Sequence, residues 1–314
     1  MFFHRDAARS ARTRKEAGAI FEATALPESG PVGCDLYFEE AGKGVPILLI
    51  HPAGATASTW GSAADELARI GRVITYDRRG YVRSGGAPVY SMSTQTADAA
   101  TLLEHLQASP AVVVGTSAGA AIAVDLAVRR PDLVRAAVAH EFPWRFSRRR
   151  PASSQIWALA RIASLALRGR KSDAAEVLLR SAYAYGDGRS AWDAFPAPWR
   201  QAGRENAAAA LADFRNSIGE YPSRSDLATV GVPVICSYGA RSPAGMLELV
   251  RSLATAMPTA RAREIDGVGH AIAFDSPAAF VELIAGAITR THETKGGDDR
   301  VRGHCTTGGP RRRA

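Results

Sequence analysis

Cysteine is scarce in this chain: 314 residues contain three, Cys34, Cys236 and Cys305, an odd number with no C-x-x-C pair. That spacing excludes a disulfide framework and a cysteine-based zinc site, and it fits a reducing compartment, with the cytoplasm as the expected location. A long uninterrupted apolar run is also missing. The longest candidate, "AVVVGTSAGAAIAVDLAV", is broken by Gly115, Ser117 and Asp125, so no membrane span is expected. The N-terminus "MFFHRDAARSARTRKEAG" carries charge where a secretory signal needs its apolar core. Its Arg and Ser content also mimics an organelle transit peptide, against which its acidic residues count.

A basic face is lacking too, although the formal charge is +8. Residues 1–16 hold five Arg or Lys against two acids, and residues 290–314 hold seven against three. Nearly all the surplus therefore sits in the tails, which excludes a nucleic-acid surface on the folded part. Residues 1–19 and 290–314 are expected to be disordered, solvated extensions.

Between them, apolar strand-like runs alternate with helical patterns. "VPILLIH" (45–51), "GRVITYD" (71–77), "AVVVGTS" (111–117), "RAAVAHE" (135–141), "VPVICSYG" (232–239) and "ARAREID" (260–266) read as strands, most of them covered on both faces. "SAADELARI", "STQTADAATLLEHLQA", "GAAIAVDLAVRR", "PAGMLELVRSLATAM" and "SPAAFVELIAGAI" read as helices. This alternation predicts an α/β fold built on a doubly wound, mostly parallel sheet. Residues 142–227 break the rhythm with helical patterns only, and hold Trp144, Trp157, Trp192 and Trp199. They predict a helical cap inserted into a core of residues 20–141 and 228–289, its aromatics packing its own small core or lining a pocket beneath.

Chemistry concentrates at "GTSAG", Gly115 to Gly119, between an apolar strand and a helical run. A sharp strand-to-helix turn exposes the serine hydroxyl, the glycines permit close approach of neighbouring chains, and the helix N-terminus favours developing negative charge. Ser117 is thus the candidate nucleophile.

With "HPAGATASTW", "YDRRGYVRSGG" and "DGVGHAIAFDSP", this motif resembles the α/β-hydrolase superfamily over most of residues 20–289. The resemblance implies a serine nucleophile, a histidine base and a carboxylate, without metal or organic cofactor. His270, in "GVGH" after the last strand, stands where the family places its base; His51 falls in the oxyanion loop, and His105 on a helix. Most members carry the acid as Asp after the penultimate strand, but this chain reads "YGARSPAGM" there. Ser242 in that place cannot stabilise an imidazolium by charge, and its replacement by Ala is expected to do little.

Glu141 fits the missing role. It ends the strand after the nucleophile's strand and helix, at the same carboxyl edge as Ser117 and His270. "HEFP" with a serine nucleophile resembles the branch containing the zearalenone-type lactonases. Strand alternation sends His140 to the side opposite Glu141. The competing reading makes Glu141 a partly buried carboxylate bonded to cap backbone or paired with Arg145. Asp77 is expected to bond a turn and Asp275 to cap the last helix. The resemblance implies two oxyanion donors, the N–H of Ala118 directly after the nucleophile and, in the "HPAG" loop where Pro52 has no N–H, that of Ala53 after the family's usual His-Gly pair.

The expected function is a serine hydrolase that cleaves an ester or lactone of a small apolar substrate through an acyl-enzyme, with no nucleic-acid or membrane partner. The same residues serve C–C bond hydrolases and cofactor-free perhydrolases or haloperoxidases. A ligand receptor on the hydrolase fold is the non-catalytic alternative.

Overall fold

The computed structural model describes residues 13–16, 19–26, 35–88, 91–142, 153–216 and 221–296. Its strands are β1 (Thr13–Glu16), β2 (Ala19–Leu26), β3 (Leu36–Ala41), β4 (Pro46–Ile50), β5 (Arg72–Tyr76), β6 (Ala111–Thr116), β7 (Val134–His140), β8 (Val234–Gly239) and β9 (Ala260–Ile265). They form one nine-stranded sheet in the order β1-β2-β3-β5-β4-β6-β7-β8-β9. From β5 to β9 every neighbouring pair is parallel, whereas β1, β2 and β3 join antiparallel.

The helices are α1 (Gly61–Leu67), α2 (Met92–His105), α3 (Ala118–Arg129), α4 (Ser153–Leu167), α5 (Lys171–Ala182), α6 (Ala197–Glu205), α7 (Ala207–Asn216), α8 (Arg224–Leu227), α9 (Ala244–Ala256), α10 (Ile272–Asp275) and α11 (Pro277–Gly296). Continuous apolar strands require cover on both faces, and these helices supply it. Ile47, Leu49, Val73, Val112, Val114 and Val138 pack with Ala63 and Leu67 of α1 and Phe280 and Leu283 of α11. Their alternates Leu48, Ile50, Ile74, Val113, Ala137 and Ala139 pack with Leu102 of α2, Ile122 of α3 and Val250 of α9. Period-two alternation thus divides one apolar run between two cores.

Three features differ from the sequence expectation. The antiparallel strands β1, β2 and β3 escape notice because charge interrupts them: Glu39 and Glu40 of β3 are buried or half-buried against Arg83 and Arg72. β1 lies within the segment expected to be an extension, held by pairing of Thr13–Glu16 with β2. At the other end, α11 runs on to Gly296, past the expected boundary at 289. Once its first turns are packed, extending a helix costs little. No helix among the described residues is long and apolar enough to cross a membrane.

Between β7 and β8 the described residues carry α4 to α8. Leu179, Tyr183, Tyr185, Trp192 and Phe195 form a separate buried cluster there, joined by half-buried Trp199 and by Ala271 and Phe274 from the start of α10 and α10 itself. Trp157 joins neither core nor pocket, being 75% exposed. Trp144 and Arg145 lie outside the described residues.

The chain visits β4, then β5 on one side, then β6 on the other. Loops leaving the carboxyl ends of β4 and β6 therefore diverge and leave a crevice, the place where open α/β sheets bind ligands.

Candidate active site

Ser117 occupies the turn from β6 into α3, at φ +52°. A side chain rarely adopts this left-handed conformation, and here the surroundings enforce it. A Cβ on Gly119 would stand 2.0 Å from the Ile50 carbonyl oxygen, and one on Gly115 would stand 2.1 Å from that of Gly119. Only glycine permits so tight a packing of α3 against β4 and β6. The Ser117 N–H donates to the His140 carbonyl at 2.9 Å. Its hydroxyl makes no hydrogen bond among the described residues, and the residue stays partly exposed.

Glu141 and His270 meet. The carboxylate Oε2 accepts a 2.7 Å hydrogen bond from His270 Nδ1. Its Oε1 accepts from the Gly239 N–H at 2.9 Å and from the Ser242 hydroxyl. Burial pushes this carboxyl's pKa up, but the His270 hydrogen bond, the nearby His140 and His270 imidazoles and the Ser242 donor outweigh it and hold the value at about 2. Three donors answer the question of how a fully buried carboxylate is tolerated: none of its charge is left unpaired. Ser242 is therefore no bystander, contrary to expectation. Its hydroxyl stands close enough to donate to Glu141.

His140 also differs from expectation. β7 ends at His140 and Glu141 has φ +48°, so strand alternation stops there and both side chains face the same region. His140 Nε2 lies 3.9 Å from Glu141 Oε1. The ring nitrogen Nε2 contacts the Gly269 carbonyl at 3.0 Å, which can only accept, so Nε2 carries the proton. Nδ1 then accepts from the Ser237 hydroxyl at 3.0 Å. Burial lowers the His140 pKa, in keeping with a neutral ring that fixes the residue before His270.

Asp275 works at the same loop rather than as a helix cap. It accepts from the Gly269 N–H at 2.7 Å and from the Tyr185 hydroxyl at 2.5 Å. The capping role falls to Ser276, whose hydroxyl accepts from the Ala279 N–H at 3.3 Å. Asp77 anchors a turn as expected, accepting from the Ala57 N–H and from Arg83, each at 2.7 Å.

The N–H groups of Ala53 and Ala118 donate to nothing among the described residues. One lies in the loop after β4, the other opens α3, where first-turn N–H groups lack helical partners. The loop after β4 is fixed from behind. His51 Nε2 accepts from the Arg78 N–H at 3.0 Å, and its Nδ1–H donates to the Pro52 carbonyl at 2.8 Å. Burial and then the Arg78 charge lower the His51 pKa, so it is a neutral structural ring.

Sequence reasoning missed a buried network behind that loop. The Arg78 guanidinium, with the side chain 1% exposed, pairs with Asp213 of α7 at 2.5 Å and with Gln95 and Tyr81. Tyr81 donates to Asp213 at 2.5 Å and accepts from the Gly54 N–H at 3.2 Å. "YDRRG" held two arginines of equal standing as sequence; only the distant carboxylate of Asp213 distinguishes Arg78.

Two narrow cavities adjoin the site. One is lined by Pro52, Thr116, His270 and Phe274, the other by Gly54, Thr56 and Trp192; Tyr183, Phe195 and Trp199 line both. Ring contacts are edge-on, with Phe195 4.9 Å from both Tyr183 and Phe274. No cluster of three metal-ligating side chains occurs among the described residues.

Residues 47–283 match the model of the alpha/beta hydrolase family, and the chain belongs to that family. It is similar to the uncharacterized hydrolase YraK of Bacillus subtilis, 38% identical over 112 residues, which cover 35% of this chain and 41% of that protein. It is similar to the zearalenone hydrolase of Bionectria ochroleuca, 32% identical over 121 residues covering 37% and 46%. These matches span less than half the length of either relative. Among solved structures, a bromoperoxidase from Bacillus anthracis superposes with TM-score 0.69 at 21% identity, covering 85% of this chain and 99% of that one.

Proposed function

We propose that the protein is a serine hydrolase that cleaves a carboxylic ester or lactone of a small apolar substrate through an acyl-enzyme, with the α4 to α8 insertion as its cap. The observation that carries this reading is the 2.7 Å Glu141–His270 hydrogen bond beside the strained Ser117 turn. Ser117 Oγ attacks the carbonyl carbon as His270 Nε2 takes its proton, and Glu141 stabilises the imidazolium. The Ala53 and Ala118 N–H groups receive the oxyanion. Collapse expels the alkoxide, which takes the proton from His270. Water then attacks the acyl-enzyme by the same route, and the acid is released with Ser117 regenerated.

Similarity to a zearalenone hydrolase over 121 residues supports the ester and lactone class. The rings of Tyr183, Phe195 and Trp199 in both cavities, and the lack of a charged Asp, Glu, Lys or Arg in either lining, support a substrate of low polarity. A fluorophosphonate probe tests the nucleophile. It should label wild-type protein at Ser117 and leave Ser117→Ala unlabelled; an unreactive Ser117 in folded protein would overturn the reading in favour of a ligand receptor. Product analysis on esters, lactones and β-diketones separates ester hydrolysis from C–C bond cleavage.

A further inference from the structure

Tyr183 follows α5, and its ring stands edge-on to His270 with centroids 5.4 Å apart. Being only 6% exposed, it is more than nine-tenths buried. The hydroxyls of Tyr37, Tyr81, Tyr185 and Tyr238 each donate to a carboxylate, those of Glu39, Asp213, Asp275 and Glu264. The Tyr183 hydroxyl has no hydrogen-bond partner among the described residues. Tyr76 Oη is also unpaired but sealed inside the core, and Trp60 Nε1 is unpaired and sealed although the Trp60 ring lines one of the cavities. Tyr183 instead lines both cavities beside His270.

The Tyr183 oxygen is not one of the unpaired polar atoms sealed from solvent, so it is open to the cavities, where a ligand's acceptor can take the place of water. The remaining walls narrow the ligand's chemistry. Trp192, Phe195, Trp199 and Phe274 offer aromatic faces and edges, Thr56, Ser58, Thr59 and Thr116 add short hydroxyl side chains, and no carboxylate, lysine or arginine lines either cavity. Rings packed edge-on at 4.9 to 6.0 Å suit insertion of another ring in place of one of their contacts.

We propose that Tyr183 determines specificity: its hydroxyl donates a hydrogen bond to an acceptor oxygen of an otherwise apolar, ring-bearing substrate held against His270. This rests on the hydrolase reading for the word substrate, but the contact itself is a binding property. Burial raises the Tyr183 pKa, so the group remains a donor throughout the working range. Discrimination of about tenfold is expected between ligands with and without the acceptor, equivalent to about 1.4 kcal/mol.

The test uses two ring compounds of matched shape, acetophenone and ethylbenzene, titrated calorimetrically into wild type and Tyr183→Phe. Phenylalanine keeps the ring contacts with His270 and Phe195, and near-ultraviolet circular dichroism checks that it does. Wild type should bind acetophenone about tenfold more tightly. Tyr183→Phe should weaken acetophenone to the affinity of ethylbenzene and leave ethylbenzene unchanged. A preference that survives in Tyr183→Phe, the absence of a preference in wild type, or failure of both ligands to bind would each overturn the proposal. Labelling of Ser117 by a fluorophosphonate is read separately. A labelled serine with no Tyr183 effect sinks this inference alone; a Tyr183 effect with an unreactive serine removes the hydrolase reading and leaves the contact standing.

Discussion

Replacing Glu141 by glutamine tests the candidate site at its most specific point. One carboxylate oxygen faces Gly239 N–H and the Ser242 hydroxyl, and the other faces His270 Nδ1. An amide must place its NH2 at one of these positions. At the first it would confront the Gly239 N–H, donor against donor, so the amide oxygen stays there. The NH2 then turns to His270 Nδ1 and forces that nitrogen to accept. The ring proton moves to Nε2, the atom needed as base. Loss of the tautomer with preserved geometry costs on the order of 10⁴-fold in kcat where a serine hydrolase depends on it, or about 5 kcal/mol of barrier. The volume is unchanged, so Tm should shift by only a few degrees. Turnover of a short-chain p-nitrophenyl ester measures the effect, with Ser117 labelling rate as a second reading. A Glu141→Gln enzyme within tenfold of wild type would refute the assignment of Glu141.

Ser242→Ala removes one donor from Glu141 but leaves the Gly239 and His270 contacts, so kcat should fall by about one to two orders of magnitude, a charge-assisted hydrogen bond being worth roughly 1.5–3 kcal/mol; an unchanged rate would return Ser242 to the role of bystander. Asp213→Asn leaves Arg78 buried without its counter-charge and should cost about 3–5 kcal/mol in urea unfolding. A loss below about 1 kcal/mol would show that the pair is dispensable. Stability should also fall in acid. Glu141 is held at about 2 against an ordinary 4.5, so its contribution, about 3 kcal/mol, is complete above pH 4.5 and is lost as pH falls through 2. Melts from pH 6 to 2.5 should show a steeper decline for wild type than for Glu141→Gln, and parallel curves would argue against a depressed carboxyl.

The parallel half of the sheet was legible because its strands announce themselves as apolar runs, and "GTSAG" because its glycines have a steric job that only glycine performs. β3 was not legible, since Glu39 and Glu40 look like a loop until Arg83 and Arg72 arrive from elsewhere in the chain. Glu141 could be singled out from the edge of the sheet on which its strand ends. The side on which His140 lies could not, because one left-handed residue cancels the alternation rule and no sequence pattern marks it. Ser242 was read only as the place where an acid is missing, whereas its hydroxyl donates to Glu141. Residues such as Asp213 and Tyr183 matter through contacts across long stretches of chain, and a linear reading offers no neighbour by which to recognise them.

The Asp213 carboxylate answers to Arg78, Gln95 and Tyr81 at once, and Tyr81 in turn holds Gly54. α7 and the loop after β4 are thereby tied through one hydrogen-bond network, although one belongs to the insertion and the other follows a strand of the sheet. Carrying α7 outward to admit a ligand would strand a buried guanidinium without its counter-ion. Rotation of the rings of Tyr183, Phe195 or Trp199 breaks no ion pair at all. The wall of the site that can yield is therefore the aromatic one, and the wall that carries the Ala53 donor is braced against moving with it.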